Sequence, residues 1–353
     1  MLALGYPRLQ DALQELYPFW HFAEIIVLAA AFLVSFTLYR TILNPFAILL
    51  ASAVAIFVIS GVNIYGLQKF FSGYISPFLL AFILSRVVKS PEVFFKGLTF
   101  AIIAFFLFAV IKKAGLPDPF LGRSEYYGIF GPITFGWLMG LGVILVFFGR
   151  YKYAPLFYVL FAFGVFWSMS KGPLIALVLT AIVYAIRRRG LGENLILYFF
   201  VLFGGVLALN YLSEYRVVSN FAATFSNGDS PDSVRAYFYS TTIQQIFQSP
   251  LFGGGVGHWS EFTGISSHFY VHNSILEIIS EGGIFLFLAF SFFVIFSLRG
   301  ASDSCRYIFI FFFFALLFSG DLSYHRYITF ILFFENINRT ARADSLYKSY
   351  PLR

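Results

Sequence analysis

Charge is scarce in this chain. Of its 353 residues only 12% are Asp, Glu, Lys or Arg, and 59% are hydrophobic. A soluble domain carries about 25% charged residues, so a water-surrounded globular fold is excluded. Cysteine is almost missing: a lone Cys305 rules out an internal disulfide and a thiolate metal cluster. No third ligand accompanies His268 and His272 as a metal pair, so no metal or cofactor is expected. The run Gly253–Gly257 lacks the following Lys-Ser/Thr of a phosphate loop and reads as a tight turn. There is no tandem repeat and no cleavable signal pattern in Met1–His21, which holds Pro7, Asp11, Glu15 and Pro18.

What is abundant is apolar and aromatic. Mean hydropathy is +0.81, and 22% of residues are Phe, Trp or Tyr. About 20 such residues cross a bilayer as a helix. Spans are predicted near Phe22–Tyr39, Leu43–Ser60, Phe71–Val88, Phe95–Ile111, Ile129–Phe148, Ala154–Met169, Pro173–Ile186 and Asn194–Ser213. Asn273–Leu298, Tyr307–Ser319 and the short Tyr324–Phe334 follow. The expected fold is all-α and polytopic, with about 11 spans (10–12), in one integral membrane domain over residues 1–353. LQDALQEL, near the amino terminus, reads as an amphipathic surface helix.

The net charge of +7 is scattered at span ends apart from Arg187–Arg189, which speaks for membrane topology and against nucleic acid. With Arg187–Arg189 in the cytoplasm, most Lys and Arg fall on that side. The amino terminus is then outside and the carboxyl terminus inside. The one sizeable extramembrane segment, residues 214–272, lies outside. Within it Ser230-Pro231-Asp232 starts an amphipathic helix to Gln248, ended by Ser249-Pro250.

This topology gathers cations on the face where the positive-inside rule disfavours them: Lys112, Lys113, Arg123, Lys171, Arg235 and Arg326, with Asp321 and His325. Lys and Arg bind phosphates through charge-assisted hydrogen bonds, so an anion such as a pyrophosphate is the natural ligand. The stretch His268–Gly283 concentrates the remaining chemistry. His272 and Asn273 stand where the chain re-enters the membrane, with Glu277 and Glu281 on one face of the helix behind them. A neutral His272 can take a proton from a hydroxyl, and Glu277 can orient it. Each group also has a plainer role: an interfacial histidine, a snorkelling Lys171, an Arg235–Asp232 surface pair, glutamates that tie helices together.

Four stretches resemble the bacterial O-antigen polymerase and O-antigen ligase superfamily: Gly128–Gly142, Ser168–Leu179, Ser233–Gly257 and Val271–Leu288. The last is similar to that family's His-Asn-x-x-Leu-x-x-x-x-Glu-x-Gly segment, and Lys171 stands where arginine is usual. The resemblance implies a GT-C-type membrane glycosyltransferase of the bacterial inner membrane, active at its periplasmic face. Its donor would be a glycan on undecaprenyl pyrophosphate, and its surroundings membrane lipids, with a chain-length regulator and a flippase as partners. Carried over, Arg235 and Lys171 hold the pyrophosphate and His272 activates the acceptor, supported by Asn273, Glu277 and Arg326. Polymerase, ligase onto lipid A-core, and a lipid-linked oligosaccharide flippase all remain open, with polymerase the lead.

Overall fold

The computed structural model describes residues 40–61, 64–88, 90–114, 131–149, 151–168, 170–188, 231–264, 270–320 and 322–349. Every long element among them is a helix. Helix α1 is Arg40–Ser60. A continuous rod follows, made of α2 (Ile64–Phe70), a π-helical turn (Phe71–Ile75) and α3 (Ser76–Val87). Then come α4 (Pro91–Ala114), α5 (Pro132–Phe148), α6 (Ala154–Trp167) and α7 (Lys171–Arg188). The later part holds α8 (Pro231–Gln248), the short α9 (Trp259–Thr263), α10 (Ser274–Leu298) and α11 (Asp303–Ser319). A 3₁₀ turn, Leu322–His325, leads into α12 (Arg326–Ser349).

Among the described residues three helices are long and apolar enough to cross a membrane: Ile64–Val87, Pro91–Lys112 and Ser274–Leu298. Pro132–Phe148 and Ala154–Trp167 are equally apolar but shorter. The expected spans Phe22–Tyr39 and Asn194–Ser213, and the surface helix near the amino terminus, lie outside the described residues. So do Arg123, Arg189, Ser230, His268 and Asp321.

Two elements differ from expectation. The third expected span begins at Ile64 rather than Phe71, which brings Gln68 and Lys69 inside a helix. The ammonium of Lys69 is 3% exposed, and what makes its burial affordable is a pair of carboxylates described below. The last helix runs on from the expected Tyr324–Phe334 to Ser349. Its polar turns escape a hydropathy reading, yet Asn336 and Asn338 are buried because each amide donates to the carbonyl four residues earlier.

Packing is aromatic and close. Phe46, Phe78 and Phe293, from α1, α3 and α10, surround the ring of Phe333 at centroid distances of 4.8, 5.1 and 5.1 Å. Small residues let helices approach: a Cβ at Gly140 would fall on the ring of Phe311, and one at Gly142 on that of Phe161. Lipid-compatible side chains such as Val58 and Ile111 remain exposed outside.

Helix α10 is broken. Gly283 has φ 64° and ψ −171°, a left-handed conformation that a Cβ would strain. The break frees backbone groups on both sides, and the glycine-rich loop after α8 takes them. The N–H groups of Gly254 and Gly255 donate to the carbonyls of Ser280 and Glu281 at 2.7 and 2.9 Å. Ile284 and Phe285 donate in return to Pro250 and Leu251 at 2.9 and 3.2 Å. Irregular backbone at this depth is tolerable only when every such group is satisfied within the protein. The glycine run is therefore a docking clasp as well as the turn expected from sequence. Gly253 in particular packs its backbone on Glu281.

Candidate functional site

The first part of α10, up to the break, presents the site. Asn273 caps it: its side-chain oxygen accepts from the N–H groups of Ile275 and Leu276, each at 3.1 Å. His272, just before the cap, has φ 60° and is the one described non-glycine residue in the left-handed region. Such a backbone costs about 1–3 kcal/mol and persists only where its surroundings over-determine it. Here they do. The Tyr270 ring lies 4.0 Å from the imidazole, centroid to centroid, and Phe238 of α8 lies parallel to it at 6.5 Å. Phe238 itself packs on Trp259, whose indole N–H donates to Thr242 at 2.8 Å. The half-buried imidazole thus sits on a platform built by α8, α9 and residues 270–273.

Three of the cations expected at the site stand near the starts of helices: Arg235 in α8, Lys171 in α7 and Arg326 in α12. Arg235 stands in the first turn of α8, one turn before Phe238. Burial raises the phenol of its neighbour Tyr239 above the ordinary tyrosine value, and the Arg235 guanidinium pulls it the other way. The surface pair expected between Arg235 and Asp232 falls on a side chain, Asp232, that lies outside the described residues. Lys171 is exposed and is the first residue of α7 rather than part of a free turn. Its neighbour Gly172 lies against the end of α11: a Cβ there would come 3.4 Å from Phe318 and 3.7 Å from Ser319. The Tyr270 hydroxyl donates to the carbonyl of that same Ser319 at 3.3 Å. Gly172 and Tyr270 therefore meet the same end of α11. Arg326 opens α12 with its guanidinium 5.3 Å from the ring centroids of both Tyr324 and Tyr327. Tyr324 faces Tyr270 at 6.4 Å.

Behind the platform is a group that the sequence did not suggest. Lys69 donates to both Glu277 and Glu281, the latter at 2.9 Å, and both carboxylates have no exposure. The second oxygen of Glu277 accepts from the N–H of Leu322 at 3.0 Å. One carboxylate thus joins the first turn of the His272 helix, the α2 rod and the turn that leads to Arg326. Its oxygens accept from Lys69 and from the Leu322 N–H. The signal for Lys69 was present only as a lone cation beside a predicted span. Close by, the Tyr74 hydroxyl lies 2.6 Å from His325 Nδ1, and Thr329 donates to the carbonyl of Gly73 at 2.6 Å. Gly73 in the π-turn lets the Leu322 backbone approach.

Residues 156–291 match the O-antigen ligase family. The matched region starts in α6 and ends in α10, so this family domain contains Lys171, Arg235, His272, Asn273, Glu277 and the helix break. It leaves out Lys69 and Arg326, which the fold brings to it. The match supports the resemblance to the O-antigen ligase and polymerase superfamily, and with it an enzyme of the glycosyltransferase kind in surface polysaccharide synthesis. The family and the apolar helices together make a multi-pass membrane protein. No curated protein matches the chain.

Proposed function

We propose that the chain is an O-antigen or related surface-polysaccharide polymerase, which moves a growing glycan from undecaprenyl pyrophosphate onto the next lipid-linked repeat unit. The acceptor hydroxyl attacks the anomeric carbon of the donor sugar. Its proton passes to the neutral His272 imidazole as the bond from that carbon to the pyrophosphate oxygen breaks. Charge builds on the departing undecaprenyl pyrophosphate, and Arg235 and Lys171 offset it. Lys171 supplies the charge without the two-pronged geometry of an arginine. The donor itself provides the driving force, as a reaction outside the cytoplasm requires. We put the reaction at the periplasmic face of the inner membrane, in keeping with the orientation expected from sequence, which gathers these cations outside.

The observation that supports this reading is the strained, aromatic-walled His272, whose Phe238 wall stands one helical turn from Arg235. The test is reconstitution of the purified protein with undecaprenyl-pyrophosphate-linked repeat units alone. A ladder of products in gels and mass spectra supports the polymerase. Product that forms only after lipid A-core is added makes the chain a ligase. One feature favours a second class: a helix broken within its span is also how transporters build a substrate site. Silence with both acceptors, together with movement of lipid-linked glycan across the bilayer, would establish a flippase.

A further inference from the structure

A cleft of about 1060 Å³ runs along the α2–α3 rod between α4, α5 and α12. This exceeds the about 300–1,000 Å³ of ordinary small-molecule pockets. Its two ends differ in chemistry. Gln68, Lys69, Ser72, Ser323 and Arg326 line one end; Leu80, Leu84, Leu98 and Phe330 line the rest. From Lys69 to Leu84 the rod rises about 22 Å, at about 1.5 Å per residue. The cleft is thus long, apolar over most of its length and cationic at one tip, within spans that face lipid. Arg326 makes no hydrogen bond or ion pair among the described residues; the Tyr324 and Tyr327 rings hold it. A guanidinium whose donors meet no partner among the described residues, at the head of an apolar channel, is complementary to a phosphate on a long hydrocarbon tail. Glu277 and Glu281 stand behind Lys69 and do not line the cleft.

We infer that this cleft binds a phosphate-bearing polyprenyl lipid, with the phosphate at Arg326 and the tail along Leu80, Leu84 and Leu98. It is a second lipid site, apart from the Lys171 and Arg235 side of His272. Three aromatic contacts, Arg326 on Tyr324, Tyr324 on Tyr270 and Tyr270 on His272, separate its head from the imidazole. Resting on the transferase reading, it assigns the cleft to the acceptor lipid, which a polymerase must hold beside the donor.

The experiment uses the full chain carrying His272→Ala, so that no turnover intervenes, in phosphatidylethanolamine nanodiscs. A photoreactive undecaprenyl phosphate is cross-linked and the labelled peptides are mapped by mass spectrometry. Label is expected on 64–87 and on 91–114, and excess unlabelled undecaprenyl phosphate should remove it. Arg326→Ala should lower labelling about tenfold, the equivalent of one lost charge-assisted contact, and Arg326→Lys should restore part of it. Leu98→Trp, which fills the channel and leaves Arg326 in place, should lower it as well. Thermal melts of each variant separate lost binding from lost folding. The inference is overturned if 64–87 and 91–114 stay unlabelled, or if neither head nor wall substitution changes their labelling. It is also overturned if phosphatidylglycerol or inorganic pyrophosphate competes as well as undecaprenyl phosphate. A failed cross-link beside a working ladder assay removes this cleft alone; a failed ladder beside a good cross-link removes the polymerase and keeps the lipid site.

Discussion

The two ends of the helix bundle treat their charges in opposite ways. At the end marked by Glu335, cations have near partners. Lys96 pairs with Glu92 at 2.9 Å and Arg306 with Asp303 at 3.2 Å, each within one helical turn. Arg339 donates to Asn336 at 2.7 Å and to the Arg299 carbonyl, while Glu335 accepts from the Ser302 N–H at 3.0 Å. These contacts are partly exposed, and the two ion pairs are made along the helices that carry them. At the His272 end, Arg235 and Arg326 have no ion pair among the described residues, and Arg326 is steadied by aromatic rings instead. The ion cluster there, Lys69 with Glu277 and Glu281, is buried and spans more than 200 residues of sequence. One end pairs its charges near the surface; the other buries its ion cluster between helices.

Substitutions can break that contrast. The largest effect belongs to His272→Ala, which should lower polymer formation by about 10²–10⁴-fold, the range of a lost general base. Membrane insertion and the melting temperature should stay as in the parent, and an unchanged ladder would remove the histidine from the chemistry. Lys69→Met comes next. Leaving two buried carboxylates without their cation should destabilise by about 3–5 kcal/mol, read as a fall in melting temperature. The combination Lys69→Met, Glu277→Gln and Glu281→Gln should recover most of it; equal losses would show that the charges are not coupled.

Arg235→Ala should cost about tenfold or more in turnover with little loss of stability, as removal of one charge-assisted contact to the leaving group predicts. Lys171→Arg should be tolerated where Lys171→Ala is not, and equal activity in the two would make Lys171 a mere anchor. Gly283→Ala should cost about 1–2 kcal/mol for a left-handed non-glycine residue, plus whatever its approach to the Leu251 backbone adds. Faster proteolysis between α8 and α10 would report the opened clasp. The smallest effect is at the other end. Lys96→Ala removes an exposed i,i+4 pair and should change stability by about 0.3–0.5 kcal/mol and activity not at all; a large loss there would erase the distinction between the ends.

Much of this was legible from residue order. Hydropathy placed α1, α4 to α7, α10 and α11 to within a few residues, because an apolar stretch in lipid has no alternative to a helix. The start of α8 at Pro231 followed from its proline and acid, and His272 to Glu281 stood out because polar groups in an apolar helix are expensive. The family match falls on this same stretch.

Other features belong to the fold alone. Lys69 reads as a loop cation until Glu277 and Glu281 arrive from another helix to neutralise it. The double glycine at 282–283 reads as tolerable within a helix until the loop at 250–255 claims the backbone groups it exposes. Arg326 is one cation among several until the cleft along α3 gives it a direction. Local hydrophobicity is written in consecutive residues and needs no partner to be expressed. The pairing of a buried charge or a freed backbone group depends on what another helix brings across the membrane, and packing alone decides that.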